Sequence, residues 1–157
     1  MIRSPPSSFM RVYQPTVILR HDYPDGSGHF DWLIGLRPGV APGEDLDARD
    51  VDTFRCTIRP DELRIGDETI VERLPDHRRI YLNYSGPLEG DRGSVQRLAV
   101  GVLPLPEQKP APWKLEIAWR IDTGGLFRQH LLLEPLHDDS LPPRWKVRRL
   151  PDVPPRW

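Results

Sequence analysis

The stretch from Trp113 to Ile121, which reads WKLEIAWRI, is the clearest indication of fold in this chain. Apolar residues such as Leu115 and Ile117 alternate with charged ones, a pattern typical of a β-strand with one buried face. The turn-forming residues Thr123-Gly124-Gly125 come next, and the apolar run Phe127–Leu133 follows them. The stretch therefore predicts two short strands separated by a turn.

The same pattern of short β-like runs between turn residues recurs along the chain. The further runs are Thr16–Arg20, Phe30–Leu36, Thr53–Ile58, Arg79–Tyr84 and Ser94–Val102. Nineteen prolines and twelve glycines are spread over the whole length, which argues against long helices. Regular short strands with such turns predict a mostly β protein with little helix, either a barrel or a sandwich. Val40–Asp50 is acidic and aperiodic and is predicted to be a surface loop.

Length and composition limit the classes of protein that are possible. The 157 residues suit one domain, predicted over residues 15–150, between a weakly ordered segment 1–14 and a tail 151–157. The net charge of -1 provides no general basic field, so contact with nucleic acid would require a local patch. Cys56 is the only cysteine, which excludes an internal disulfide and fits a reducing cytoplasm. No apolar run approaches the roughly 20 residues of a membrane helix, so we expect a cytoplasmic protein without membrane contact.

The stretch from His21 to Asp31, HDYPDGSGHFD, holds the main candidate site. His29 and Asp31 are two residues apart in a strand-like run, so both face the same side, about 7 Å apart at their α-carbons. The Gly-containing loop before them can bring His21 back toward them. Two imidazoles and one carboxylate suit a first-row divalent ion and leave coordination positions open. Alternatively, His29 is an ordinary partly buried histidine, since a second such pair, His137-Asp138-Asp139, occurs in a loop that we expect to be exposed.

The segment from Leu74 to Val95 holds a second group of candidates. It carries His77, three arginines (Arg78, Arg79 and Arg92) and Tyr81 around glycine turns. Arginines donate paired hydrogen bonds to phosphate, and tyrosines add hydroxyl donors. The alternative is that these arginines are solvated surface charges. The basic stretch Arg144–Arg149 is open to a similar choice, between the wall of a groove and a solvated strand.

Taken in order, these stretches resemble the 3′-phosphoesterase domain of bacterial DNA ligase D, particularly its short stand-alone relatives. The resemblance runs from Thr16 to Leu150. The segments that carry it are Val17–His21, His29-Phe30-Asp31, Thr53-Phe54, Asp76-His77 with Tyr81, Ser85-Gly86-Pro87, Arg92–Val95 and Trp145-Lys146-Val147. It implies a small, closed or partly open β-barrel with short connecting loops and a groove.

The resemblance also implies a metal site and an activity. It assigns His21, His29 and Asp31 as ligands of a divalent metal, manganese in the family, although zinc or another divalent ion suits the same donors. It assigns catalytic roles to His77 and Tyr81. The implied function is a metal-dependent phosphoesterase that removes a 3′-phosphate or a 3′-ribonucleotide from DNA 3′ ends or a primer-template. Its possible partners are a DNA ligase or other end-joining proteins.

Several positions depart from the family pattern. Leu33 replaces a common arginine, Leu19 replaces a glutamine and Pro75 replaces an acidic residue, while Ile58 falls where the family has a lysine. The phosphate-binding candidates that remain are Arg59, Arg78, Arg79 and Arg92. An alternative function is therefore a catalytically degenerate module of the same fold that binds nucleic-acid ends or a protein. A third is a structural β domain whose histidines bind nothing.

Overall fold

The computed structural model describes residues 13–35, 45–104 and 112–152, and nearly all regular structure within these ranges is β-strand. The strands are β1 (Tyr13–Asp22), β2 (Gly28–Ile34), β3 (Arg49–Cys56), β4 (Glu68–Arg78), β5 (Gly86–Pro87), β6 (Ser94–Pro104), β7 (Trp113–Arg120), β8 (Leu126–Pro135) and β9 (Arg144–Arg149). Two short 3-10 helices, Pro60–Glu62 and Arg79–Leu82, accompany them. No helix in the described ranges has the length and apolar character needed to cross a membrane.

Eight of these strands form a closed antiparallel barrel. Neighbouring strands follow the order β1-β2-β3-β4-β9-β8-β7-β6, and β6 pairs back with β1. The two-residue strand β5 lies against the first residues of β6, whereas β7 pairs with β6 near Gly101 and Val102. The prediction of a small β-barrel, closed or partly open, with little helix is therefore confirmed, and the barrel is of the closed kind.

The barrel interior is filled by one apolar cluster. In β7 the inward side chains are Leu115, Ile117 and Trp119, which obey the period of two that the sequence predicted. Gln129 is fully buried among them, where it accepts a hydrogen bond from Trp119 Nε1 and donates one to the Pro60 carbonyl, both at 2.9 Å. Because both ends of its amide are satisfied, a polar side chain is tolerated inside this core.

A second apolar cluster covers the outer face of part of the barrel. Its buried members are Val17, Leu19, Leu33, Val51, Leu82 and Val95. All of them except Leu82 lie on strands β1, β2, β3 and β6, and Leu82 belongs to the 3-10 helix Arg79–Leu82, which packs over the others. This outer layer continues to the candidate residues, because Leu19 and His21 alternate to the same side of β1, as do Asp31 and Leu33 of β2.

Some local predictions differ from the structure. The run Arg79–Tyr84, predicted as a strand, begins with a 3-10 helix. Strand β4, which was not predicted, and β9, which agrees with the strand interpretation of Arg144–Arg149, complete the barrel. Strand β1 begins at Tyr13, ahead of the predicted domain start, and Arg49 and Asp50 of the predicted loop belong to β3. Residues 1–12, 40–44 and 153–157 of the remaining predicted segments lie outside the described residues.

The buried thiol of Cys56 gives a test of this core. Cys56 is fully buried on the interior side of β3, and burial raises the pKa of its thiol above the ordinary value. Only the thiolate reacts quickly with disulfide reagents. Cys56 should therefore react at least about 10³-fold more slowly in the native protein than in the unfolded chain. The measurement is the rate of thiol modification with and without denaturant.

A thiol introduced by Leu141→Cys is the control, because Leu141 is 93% exposed. The introduced thiol should react rapidly in the folded protein. If Cys56 reacted at the same rate as the introduced thiol, the described position of Cys56 in the core would be wrong.

Candidate functional site

The hairpin formed by β1 and β2 brings the three predicted metal ligands together. His21 of β1 lies directly opposite His29 of β2, and Leu19 lies opposite Asp31. The loop closes through hydrogen bonds from Tyr23 N to Ser27 O and from Gly26 N to Tyr23 O, at 2.8 and 3.1 Å. Opposite residues of an antiparallel pair have β-carbons about 5 Å apart, so the two imidazoles are neighbours.

The ligand atoms of His21, His29 and Asp31 all lie within 4.8 Å of one another. Asp31 Oδ2 is 3.6 Å from His21 Nδ1, and Asp31 Oδ1 is 3.0 Å from His29 Nε2. Tyr23 packs beside both imidazoles, with its ring centroid 4.3 Å from that of His21 and 5.4 Å from that of His29. The three donors converge, as a metal site requires, and Tyr23 is a neighbour that the sequence did not single out.

A backbone carbonyl fixes the orientation of the His21 ring. His21 Nε2 lies 2.8 Å from the carbonyl oxygen of Arg92, to which it donates a hydrogen bond. The close approach of this segment requires Gly93, whose φ is +87° and whose absent β-carbon would collide with the backbone of Asp22. Because Nε2 is engaged with the Arg92 carbonyl, Nδ1 of neutral His21 faces Asp31 and is free to coordinate a metal. A hydrogen bond like the one to Arg92 commonly orients metal-binding histidines.

The buried carboxylate of Asp31 is incompletely satisfied. Asp31 is only 4% exposed. Burial alone would raise its pKa, but its contacts with the His21 and His29 imidazoles outweigh burial and lower the pKa to about 2. Although His29 Nε2 is near, Oδ1 of Asp31 makes no hydrogen bond of acceptable geometry within the described residues. A buried carboxylate oxygen without a hydrogen bond is costly, and a bound cation would satisfy it.

A cleft of about 330 Å³ opens beside these residues. Its lining includes His21 and Asp31 together with His77, Tyr81, Arg78 and Arg92. The structure therefore brings both predicted catalytic residues and two of the four predicted phosphate ligands to one place.

The position of His77 in the cleft depends on an irregularity of β4. Thr53 pairs with Leu74 and Val51 with His77, so β4 carries one extra residue at Pro75-Asp76. Such a bulge re-aims the side chains that follow it. The His77 Nδ1–H donates to the Pro75 carbonyl at 3.1 Å, which leaves Nε2 of the neutral ring as an acceptor.

The other two predicted phosphate ligands lie outside the cleft. Arg59 forms ion pairs with Asp61 at 2.8 Å and Glu62 at 2.9 Å, and Arg79 forms one with Asp50 at 2.6 Å. The prediction that these two arginines bind phosphate gains no support from the structure, because carboxylates occupy their donors and neither residue lines the cleft. Arg78 also forms an ion pair, with Asp47 at 3.1 Å, but it does line the cleft.

Two arginines near the site were not predicted. Arg49 lines the cleft as the cross-strand neighbour of Arg78 and has no ion pair among the described residues. Arg55 lies opposite Asp31, and its Nε is buried without a hydrogen-bond partner in the described part of the chain. Arg49, Val51 and Thr53 are alternate residues of β3 and face the same side of the strand. Extending the predicted strand Thr53–Ile58 backward with this period would therefore have placed Arg49 on the outer face.

The fold and the site define a class: an eight-stranded antiparallel barrel with a His-His-Asp cluster and an arginine-lined cleft on its outer face. No family model matches the chain, and no curated protein is significantly similar to it in sequence. The function therefore has to be inferred from the site itself and from the sequence resemblance.

The contact between His21 and Asp31 predicts a pH-dependent stability of the metal-free protein. The pKa of Asp31 falls from 3.8 to about 2, so its contribution is present above pH 3.8 and disappears as the pH falls through 2. Asp31 raises the pKa of His21 above 6.5, so the contribution of His21 is present below pH 6.5 and is lost as the pH rises through the raised value. Both contributions are fully present between pH 3.8 and pH 6.5. In that range Asp31→Asn should lower the free energy of unfolding by about 2 kcal/mol, and by less at lower or higher pH.

Urea unfolding in the presence of a chelator, repeated from pH 2 to pH 8, measures this difference. The control is Asp122→Asn in the exposed turn between β7 and β8, which should unfold like the wild type. A difference between wild type and Asp31→Asn that does not vary with pH would contradict the described contact.

Proposed function

We propose that this protein is a metal-dependent phosphoesterase that acts on the 3′ ends of DNA and removes a 3′-phosphate or a 3′-ribonucleotide. The observation that carries the proposal is the His-His-Asp cluster, whose buried aspartate has one unsatisfied carboxylate oxygen, beside an arginine-lined cleft. The cluster favours a metal and the arginines favour an anionic substrate. The choice of DNA 3′ ends comes from the sequence resemblance to the ligase D 3′-phosphoesterase domain.

The donor set fits a divalent ion such as manganese, with zinc as an alternative. His21 Nδ1, His29 Nε2 and a carboxylate oxygen of Asp31 would hold it. A bound ion would polarise a phosphoryl oxygen and lower the pKa of a coordinated water. Tyr23 shields the imidazoles, and the Arg92 carbonyl keeps the His21 ring turned toward the site.

The residues of the cleft suit the recognition of a phosphate ester. Arg49, Arg78 and Arg92 supply guanidinium donors for the nonbridging phosphate oxygens. Arg78 also contacts the Tyr81 hydroxyl at 3.0 Å, which holds both side chains at the cleft wall. His77, once protonated at Nε2, would donate that proton to the oxygen that leaves phosphorus, a general-acid role suited to an imidazole near neutral pH.

The proposal includes a cellular setting. DNA ends and a reduced thiol at Cys56 both suit the cytoplasm. A DNA ligase or other end-joining protein would use the ends that this activity prepares. The net charge of -1 means that affinity for DNA would come from the local arginines of the cleft.

Metal binding is the first test. Manganese at about 100 times its dissociation constant should stabilise the folded protein by about 2.7 kcal/mol, and His29→Ala should abolish this stabilisation. Thermal unfolding with and without manganese, with zinc in parallel, measures the effect. The control is His137→Ala, which removes a histidine from a separate loop and should leave the stabilisation intact. Equal stabilisation of the His29→Ala protein would place the metal elsewhere.

Turnover is the second test. With manganese, wild type should trim a primer-template that ends in a 3′-phosphate or 3′-ribonucleotide, and His29→Ala should be inactive. His77→Ala should lose about 100-fold or more in rate, as expected when a general acid is removed. His137→Ala again serves as the control. A folded wild-type protein that binds metal but trims neither end with any of several divalent ions would be the degenerate binding module instead.

A further inference from the structure

A second compartment continues the cleft along the outer layer. It has a volume of about 220 Å³. The two compartments share Arg78, Tyr81, Leu88, Glu89 and Arg92, and the second adds Ile80, Tyr84 and Pro87. His21 and Asp31 of the candidate metal cluster line the first compartment and not the second, so a group in the second compartment would lie away from the metal.

The charges of the two compartments differ. The arginines Arg78 and Arg92 stand at the shared boundary, whereas the three residues that belong only to the second compartment are uncharged. Glu89 also stands at the boundary, and its carboxylate has no ion pair within the described residues. Arginines at the boundary favour a phosphate there, and the Glu89 carboxylate disfavours a second phosphate farther in. The compartment therefore suits an uncharged group attached to a phosphate.

The walls of the second compartment favour a flat group. The Tyr84 hydroxyl donates to the Pro87 carbonyl, and the Tyr84 ring lies edge-on to Tyr81 with centroids 6.1 Å apart. Arg78 lies over the Tyr81 ring, 5.3 Å from its centroid. A fixed aromatic ring, aliphatic neighbours and a guanidinium plane form the kind of surface on which a nucleobase stacks.

We infer that the second compartment binds the nucleoside attached to the phosphate that the first compartment holds. The ligand class is thus a nucleoside 3′-phosphate unit, with its base against Tyr84 and its phosphate at Arg78 and Arg92. The Glu89 carboxylate accepts a hydrogen bond from a sugar hydroxyl or a base amino group. This assignment rests on the proposed function, since it takes the first compartment to be the phosphate site.

Two hydrolysis-resistant probes separate the two compartments. Methylphosphonate carries only the anionic group, and 3′-phosphonomethyl-3′-deoxyadenosine adds the nucleoside through a carbon–phosphorus bond. Calorimetric titration of the manganese-loaded protein should give an affinity for the nucleoside probe at least about tenfold higher, the order expected for one base stacked on an aromatic ring.

Variants at Tyr84 and Ile80 test the assignment. Tyr84→Leu should reduce the ratio of the two affinities to near one, whereas Tyr84→Phe, which keeps the ring, should preserve it. Ile80→Glu adds a charge to the second compartment and should also reduce the ratio. This second variant keeps the test available if Tyr84→Leu does not fold. Methylphosphonate should bind all these variants like the wild type.

The outcomes distinguish this inference from the proposed function. If neither probe binds wild type, the phosphate site fails and the inference fails with it. If both probes bind wild type equally well, or if Tyr84→Leu keeps the wild-type ratio, the inference alone is overturned. A preference for the nucleoside probe that needs the Tyr84 ring supports it.

Discussion

Strand β1 forms hydrogen bonds with β2 along one edge and with β6 along the other, and this double pairing closes the barrel. The same register places His21 opposite His29. It also places the His21 side chain on the outer face of the barrel, together with those of Val17 and Leu19. Successive side chains of a strand face opposite sides, so a slip of one residue would turn His21 inward and expose Ile18. The fully buried Ile18 and Leu19 oppose such a slip from the two faces. Core packing therefore determines the geometry of the candidate metal centre.

The buried carboxylate of Asp31 has to be explained, because apolar residues fit the same face. Leu19 and Leu33 adjoin it and are fully packed. A buried ionised group costs several kcal/mol unless partners compensate, and here one carboxylate oxygen has no acceptable hydrogen bond. The Nε of Arg55, on the neighbouring strand, is also unsatisfied. Folding alone does not require polar atoms here, so the unsatisfied oxygen is stronger evidence for a cation than the spacing of His29 and Asp31.

The sequence predicted the parts of this structure that have a regular local pattern. The alternation in Trp113–Ile121 predicted β7, and the spacing of His29 and Asp31 predicted that they share a face. Strand β4 was missed because Pro75 interrupts it, yet Pro75 lies in a bulge where its missing N–H breaks no ladder hydrogen bond. Which arginines reach the cleft depends on long-range contacts: Arg79 pairs with Asp50, 29 residues away. Arg78 has a distant carboxylate partner too, Asp47, yet only Arg78 of the two lines the cleft. No local pattern reveals such differences, so Arg79 could not be told from Arg78.

The location of the site on the outer surface follows from the filled interior of this small barrel. Eight strands enclose a space that side chains can fill or that can hold one small ligand, and here the buried side chains of Trp32, Phe54 and Trp119 help to fill it. A binding site therefore needs a second layer, which the segment from Arg79 to Gly93 supplies. Leu82 of this segment packs on the outer face, while Tyr81 and Arg92 line the cleft. Since the same short segment covers apolar surface and carries the ligand-facing groups, the free energy that holds it on the barrel also fixes the shape of the cleft.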